Sequence, residues 1–102
     1  MIAVKRKRSA LVASDVLGPL SHPTRLLIVC LLLEQERYAG EFLKELGSTK
    51  GNISQHLRLL ESKQLIRSRK EANRVFYSIA DSRLNELVKT IQALWGPGLA
   101  VA

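Results

Sequence analysis

The chain has little of several residue types, and each shortage excludes something. Its single cysteine, Cys30 of 102 residues, rules out a disulfide within the chain and suits a reducing, cytoplasmic setting. There are only two histidines, His22 and His56, one at a helix start and one in a later helix, with no partner at ligand spacing, so no metal site is expected. The longest apolar run, Leu26 to Leu33, has eight residues. A bilayer needs about 20, so that run reads as a buried helix and no membrane partner is expected. The opening MIAVKRKRSALVASDVLGPL has the basic-then-apolar order of a signal peptide. Asp15 breaks its apolar part and no small-x-small cleavage site follows, which excludes that reading. No nucleophile and base at useful spacing, no paired carboxylates and no phosphate loop are visible, so an enzyme is not expected, nor is a cofactor. Repeats and low-complexity linkers are also missing.

Acid is scarce too: nine Asp and Glu against sixteen Lys and Arg give a net charge of +7 and a pI near 10.1. Such a balance points to an anionic partner. The excess is concentrated. Lys50 to Arg74 carries seven cations against Glu61 and Glu71, Lys5 to Arg8 adds four more, and the remainder is slightly acidic. A merely solvated charged face would not be confined in this way.

The apolar pattern divides one domain into five helices and a hairpin. The first helix is expected over about Ser9–Leu17, ended or kinked by Gly18-Pro19. Pro23 opens the second at its first helical position, where the missing N–H costs nothing, and that helix should end near Glu34–Arg37. Ala39, Phe42, Leu43 and Leu46 form a one-sided stripe on a third helix closed by Gly47. Thr49 caps a fourth, with Asn52 at its third position and Ile53, Leu57 and Leu60 turned inward. Strands follow at Leu65–Lys70 and Arg74–Ile79 around a Glu71-Ala72-Asn73 turn, with Ile66, Val75, Tyr77 and Ile79 facing the core. The last helix runs from about Asp81 to Trp95, and Gly96-Pro97-Gly98 ends it. The expected organisation is a basic arm at 1–8, a domain at 9–95 and a flexible tail at 96–102. The fold class is mainly α with a small β-hairpin, in the order α-α-α-α-β-β-α of a winged helix-turn-helix.

That order assigns chemistry to particular side chains. An α-helix fits the major groove of B-DNA and meets base edges with its N-terminal half. Lys50, Asn52, Ser54 and Gln55 supply hydrogen-bonding groups there, while Gly51 leaves room for close approach. The free N–H groups at the helix start favour a phosphate, and Arg58, further along, suits one as well. On the hairpin, Arg67 and Arg69 point outward and Lys70 is a further phosphate candidate. Asn73 and Arg74 sit at the tip, where a wing reaches the minor groove or flanking phosphates. Basic residues on a hairpin edge also discourage strand pairing between molecules, and both roles can hold. Lys5-Arg6-Lys7-Arg8 either tracks a DNA backbone or is a generic disordered tail. Leu11, Val12 and Val16 on the first helix, with Ile91, Leu94 and Trp95 on the last, make stripes too large for one small domain to bury. They are the expected homodimer interface, which would set two reading helices about 34 Å apart, one turn of DNA.

Three segments carry a family resemblance. LSHPTRLLIVCLL (20–32), STKGNISQHLRLLESKQLI (48–66) and RSRKEANRVFYSIA (67–80) resemble the ArsR/SmtB bacterial transcriptional regulators, over roughly residues 14–95. The resemblance implies a dimeric winged-helix repressor that leaves its operator on double-stranded DNA when an effector binds. It puts Lys50, Gly51, Asn52, Ser54, Gln55 and Arg58 in the recognition helix and Asn73 and Arg74 in the wing. It also implies what is missing. Thiolate metal sensors of the family carry Cys-x-Cys where this chain has Tyr38-Ala39-Gly40-Glu41, and zinc- or nickel-type sensors use Asp and His on a last helix that here has no histidine. The wording RLLIVCLL and ERYAGEFL is similar to the thiol-sensing, BigR- and SqrR-like branch, which links a second-helix cysteine to one near the end of the last helix. Cys30 matches the first position, but Gly96 stands near the second. Cys30 inside an apolar run, with no nearby cation in sequence, reads as a buried small hydrophobe rather than a redox thiol. The effector stays unknown. The competing expectation is a protein-interaction module that kept the winged fold without specific DNA binding.

Overall fold

In a computed structural model of the chain, residues 1–99 are described. Helix α1 spans Val4–Leu20, α2 Pro23–Glu34, α3 Ala39–Leu46, α4 Lys50–Ser62 and α5 Arg83–Trp95. Three strands, β1 (Arg37–Tyr38), β2 (Ile66–Glu71) and β3 (Arg74–Ile79), form an antiparallel sheet in the order β1-β3-β2. Helix α2 is the axis of the core. Its apolar run is buried from Ile28 to Leu32 because α1, α4, α5 and β3 all pack on it. Phe42, Ile53, Leu57, Leu60, Leu65, Ile66, Leu84 and Val88 complete the interior. No single helix is long and apolar enough to cross a membrane.

The ends of these elements follow local chemistry. His22 caps α2, its Nδ1 accepting a hydrogen bond from the Thr24 N–H at 3.1 Å, with Pro23 at the first helical position. Thr49 caps α4 by accepting from the Asn52 N–H at 3.2 Å. Gly47 closes α3 at φ 64°, a left-handed position that suits glycine. Glu41 reaches back to the Tyr38 N–H at 3.1 Å and so secures the start of α3.

Several expectations are corrected. Helix α1 is longer than Ser9–Leu17 at both ends, so Lys5–Arg8 are its first turns rather than an extended arm. Pro19 does not stop it at once; the helix turns over at Leu20, where Ser21 N–H and Oγ both donate to the Gly18 carbonyl. Strand β1 was not foreseen. It exists because Arg37 and Tyr38 pair with Tyr77 and Phe76, a non-local partnership that two residues cannot announce. The hairpin closes one residue tighter than expected. Glu71 pairs with Arg74, leaving a two-residue turn, Ala72-Asn73, and β2 begins at Ile66 rather than Leu65. Tyr77 and Ile79 pack on the core as expected, whereas Val75 lines a groove beside the turn instead. Helix α5 begins at Arg83, two residues late, because Asp81 Oδ1 accepts from the Arg83 N–H. The tail is not uniformly frayed: Pro97–Leu99 form a 3-10 turn and Leu99 packs on the core, while residues 100–102 lie outside the described part.

Candidate nucleic-acid interface

Helix α4 buries Ile53, His56, Leu57 and Leu60 and turns Lys50, Gly51, Asn52, Gln55 and Arg58 to solvent, with Ser54 half-buried between the two faces. A side chain at Gly51 would meet no atom of the protein, so its bareness answers no packing need. The hairpin stands beside this helix and is fastened to it where Ser68 Oγ donates to Glu61 Oε2 at 2.6 Å. A groove of about 440 Å³ lies between the start of α4 and the hairpin turn, bordered by Lys50, Ser54, Asn73 and Arg74 and floored by Leu43 and Ile53. The residues expected at the helix start and the wing tip are thus brought together. Arg67 is not part of that cluster. It sits at the hairpin base opposite Ser78, roughly 13 Å along the strand from the turn, with Nη2 donating to the Ile79 carbonyl at 3.4 Å.

The cations of this region divide by what already neutralises them. Arg69 is held by both oxygens of Glu36, at 2.7 and 3.1 Å, and by Glu71. The pairing drops the Glu36 carboxyl below its ordinary range and lifts the Arg69 guanidinium further above its own. Lys63 lies 3.7 Å from Asp15. Lys50, Arg58, Arg67, Lys70 and Arg74 have no carboxylate partner among the described residues. Asn52 is also engaged, its amide donating to Ser48 Oγ at 2.7 Å, while the exposed Gln55 side chain makes no hydrogen bond there. Arg37 is a different kind of cation. It is buried, donates to the Leu31 carbonyl at 3.2 Å and is paired with Glu34 and Glu45, which ties α2, β1 and α3 together.

The pairing of the two histidines is a feature that sequence reasoning did not reach, whereas the burial of Cys30 is the expected one. His22 and His56, distant in sequence, meet with ring centroids 4.5 Å apart and planes tilted by 45°, and Arg25 Nη1 lies 3.3 Å from His56 Nδ1. No third ligand joins them, and no cluster of three metal-binding side chains occurs among the described residues. Cys30 is buried and borders a cavity of about 200 Å³ between α2 and α5, with Glu34, Lys89, Gln92 and Leu99 around it. Burial first, and Glu34 second, push its thiol above the usual range, so the thiolate that redox chemistry needs is disfavoured despite nearby Lys89. On the outer surface, Leu11 and Val12 of α1 and Leu94 and Trp95 of α5 are exposed, and Ile91 is half-buried. Val16 packs against the chain's own core.

Comparison with known proteins agrees with this architecture. Residues 22–68 match the family model for bacterial regulatory proteins of the arsR family. The chain is 36% identical over 90 residues to the HTH-type transcriptional regulator YgaV of Escherichia coli (strain K12), covering 87% of this chain and 91% of that one. It superposes with a TM-score of 0.83 on the crystal structure of the transcriptional repressor BigR from Xylella fastidiosa, at 27% identity, covering 93% and 97% of the two chains. The solution structure of the homodimeric winged helix-turn-helix DNA-binding domain of Mb0332 from Mycobacterium bovis gives a TM-score of 0.78 at 25% identity, covering 91% and 86%. With its α4 reading position, its hairpin wing and these relatives, the chain belongs to the ArsR family of winged helix-turn-helix transcriptional regulators.

Proposed function

We propose that the chain acts as a homodimeric repressor that binds an inverted-repeat site on double-stranded DNA. The observation that carries this reading is the groove between α4 and the hairpin turn, where Lys50 and Arg74, both without carboxylate partners, flank a helix start that exposes Gln55 and a bare Gly51. Lys50, Arg58, Lys70 and Arg74 take phosphates; Gln55, Ser54 and, after leaving Ser48, Asn52 meet base edges. Asn73 lies at the wing tip beside Arg74. Arg69, neutralised by two carboxylates, holds the wing rather than the nucleic acid, and Arg67 touches at most the flank. The repressor assignment draws on the Xylella relative, a transcriptional repressor. The homodimer draws on the exposed apolar surfaces of α1 and α5 together with the homodimeric Mycobacterium domain. The absence of a cysteine pair and of a histidine on α5 supports an effector other than a metal, its identity unknown.

Fluorescence anisotropy with a genomic site recovered by footprinting and with random duplex, each at two salt concentrations, tests the reading. Binding should weaken steeply with salt on both DNAs, by a slope near −0.9 per phosphate neutralised. Gln55→Ala should lose about 1–3 kcal/mol on the recovered site and much less on random duplex. Equal losses would remove Gln55 from base reading. A protein-interaction module would bind neither duplex with a salt slope.

A further inference from the structure

The outer face of the hairpin carries a row of two aromatic rings with a guanidinium at each end. The Arg74 guanidinium carbon lies 4.3 Å from the centroid of the Tyr38 ring. Tyr38 meets Phe76 edge-on, with centroids 6.1 Å apart, and Arg69 lies 4.7 Å from the Phe76 centroid. The row therefore begins at the Glu36–Arg69 pair and ends at the turn. Its two arginines differ in what they have left to offer. Arg69 spends its N–H groups on carboxylates. Arg74 lies over a ring and makes no ion pair or side-chain hydrogen bond among the described residues, which leaves its donors for a planar or tetrahedral anion. Tyr38 is itself well fixed. Its backbone is paired with Phe76 and its N–H donates to Glu41, while its ring fills the space beside Gly40, where a Cβ would come within 2.8 Å of Cε2.

We propose that Tyr38, outside both the reading helix and the wing, is a positioning residue for DNA binding: its ring holds Arg74 over the groove beside Lys50, ready for a backbone phosphate. An exposed arginine otherwise loses rotamer freedom when it docks, and a ring that orders it beforehand lowers that cost. The inference rests on the DNA-binding reading above and adds to it the residue that aims the wing.

The test is anisotropy against duplex DNA over a range of salt for the native protein and for Tyr38→Phe, Tyr38→Leu, Gly40→Ala, Arg74→Ala and the Tyr38→Leu/Arg74→Ala double variant, with a thermal melt of each. Tyr38→Phe keeps the ring and should bind as the native protein does. Tyr38→Leu should bind about two- to five-fold more weakly, the worth of an exposed cation–π contact. In the double variant the tyrosine change should add nothing to the loss from Arg74→Ala. Gly40→Ala should displace the ring and weaken binding like Tyr38→Leu while melting no lower than native, because alanine is the better helix former. Losses that multiply in the double variant, or a Tyr38→Phe as weak as Tyr38→Leu, would overturn the proposal. If Tyr38→Leu does not fold, Gly40→Ala with and without Arg74→Ala makes the same comparison. The contact is also readable without DNA, because ring current should shift the Arg74 side-chain protons upfield in the native protein and not in Tyr38→Leu. Absence of that shift removes the contact. A native protein that shows the shift but binds no duplex overturns the DNA-binding reading, and the positioning role with it.

Discussion

His56 is the residue whose chemistry most depends on its surroundings. It projects from the reading helix into the interior, 8% exposed, with Nε2 lacking a hydrogen-bond partner. Burial disfavours its imidazolium, and His22 and Arg25 add repulsion, so its pKa lies below the ordinary histidine value. As pH falls, the unfolded chain therefore takes up this proton before the folded one. The associated stability is intact above about pH 6.5, the value for an unperturbed histidine, and is lost as pH falls through the lower folded value. Melting temperature should thus drop between pH 7 and pH 5 more steeply in the native protein than in His56→Leu, measured by calorimetry. Parallel curves would mean that His56 does not titrate in that window. Asp81 and Glu36, both lowered by arginine partners, act further toward acid and leave the comparison clear. Sequence alone does not show what His56 meets. Its spacing from Ile53, Leu57 and Leu60 places it on their face of α4, but only the fold brings it to His22 and Arg25.

At the scale of elements, what was legible tracks how local the determinant is. Thr49, Gly47 and Pro23 act within a turn of their own helices, and the boundaries they mark are those of the structure. Strand β1 depends on a partner about 40 residues away and is not legible locally; the hairpin turn differs by one residue in register, and the extension of α1 is an exposed run with no apolar stripe to mark it. The same limit applied to the candidate site. Side-chain types marked the α4 and wing surface, but the neutralisation of Arg69 by Glu36, 33 residues away, could not be read. The end of α4 shows local sequence working against local structure. The Leu65 N–H bonds to the Leu60 carbonyl and the Gln64 N–H to the Glu61 carbonyl, a helix-ending motif that puts Gln64 at φ 60°. Ala72, in the hairpin turn, sits at φ 55°. Neither is glycine, and a side chain at such a φ costs about 1–2 kcal/mol, partly offset by the freedom glycine loses on folding. Gln64→Gly and Ala72→Gly should therefore each stabilise the fold by about 0.5–1 kcal/mol in urea denaturation. An unchanged midpoint in both would mean that these positions carry no strain.

At the scale of the whole molecule, one chain leaves surfaces that it cannot cover. Nearly all of α1 before Val16 is exposed, and the chain is drawn out to 52 Å along its longest axis. A helix with so little packing is marginal in water. Four cations in its first turns also oppose the helix dipole, with no acidic residue there to offset them. Leu11 is 69% exposed, Leu94 63% and Trp95 79%, and a groove lined by Ala13, Val16, Leu17, Leu84 and Leu87 runs between α1 and α5. These surfaces account for a second copy better than for solvent, because a two-fold pairing would bury each of them twice. Burying one large apolar side chain contributes roughly 1.5–3 kcal/mol, and a change in a symmetric interface is felt on both sides. Trp95→Ala should therefore weaken dimerisation by about 3 kcal/mol or more, over a hundred-fold, as read by sedimentation equilibrium at several protein concentrations. The monomer it releases should keep its α2–α4 core and its salt-dependent grip on random duplex, since Lys50, Arg58 and Arg74 lie away from the α1–α5 surface. It should lose most of its preference for a symmetric site, because one reading head then binds without the other. A Trp95→Ala protein that sediments as the native one does would exclude α5 from the interface, and one that is monomeric yet equally selective would detach site recognition from dimerisation.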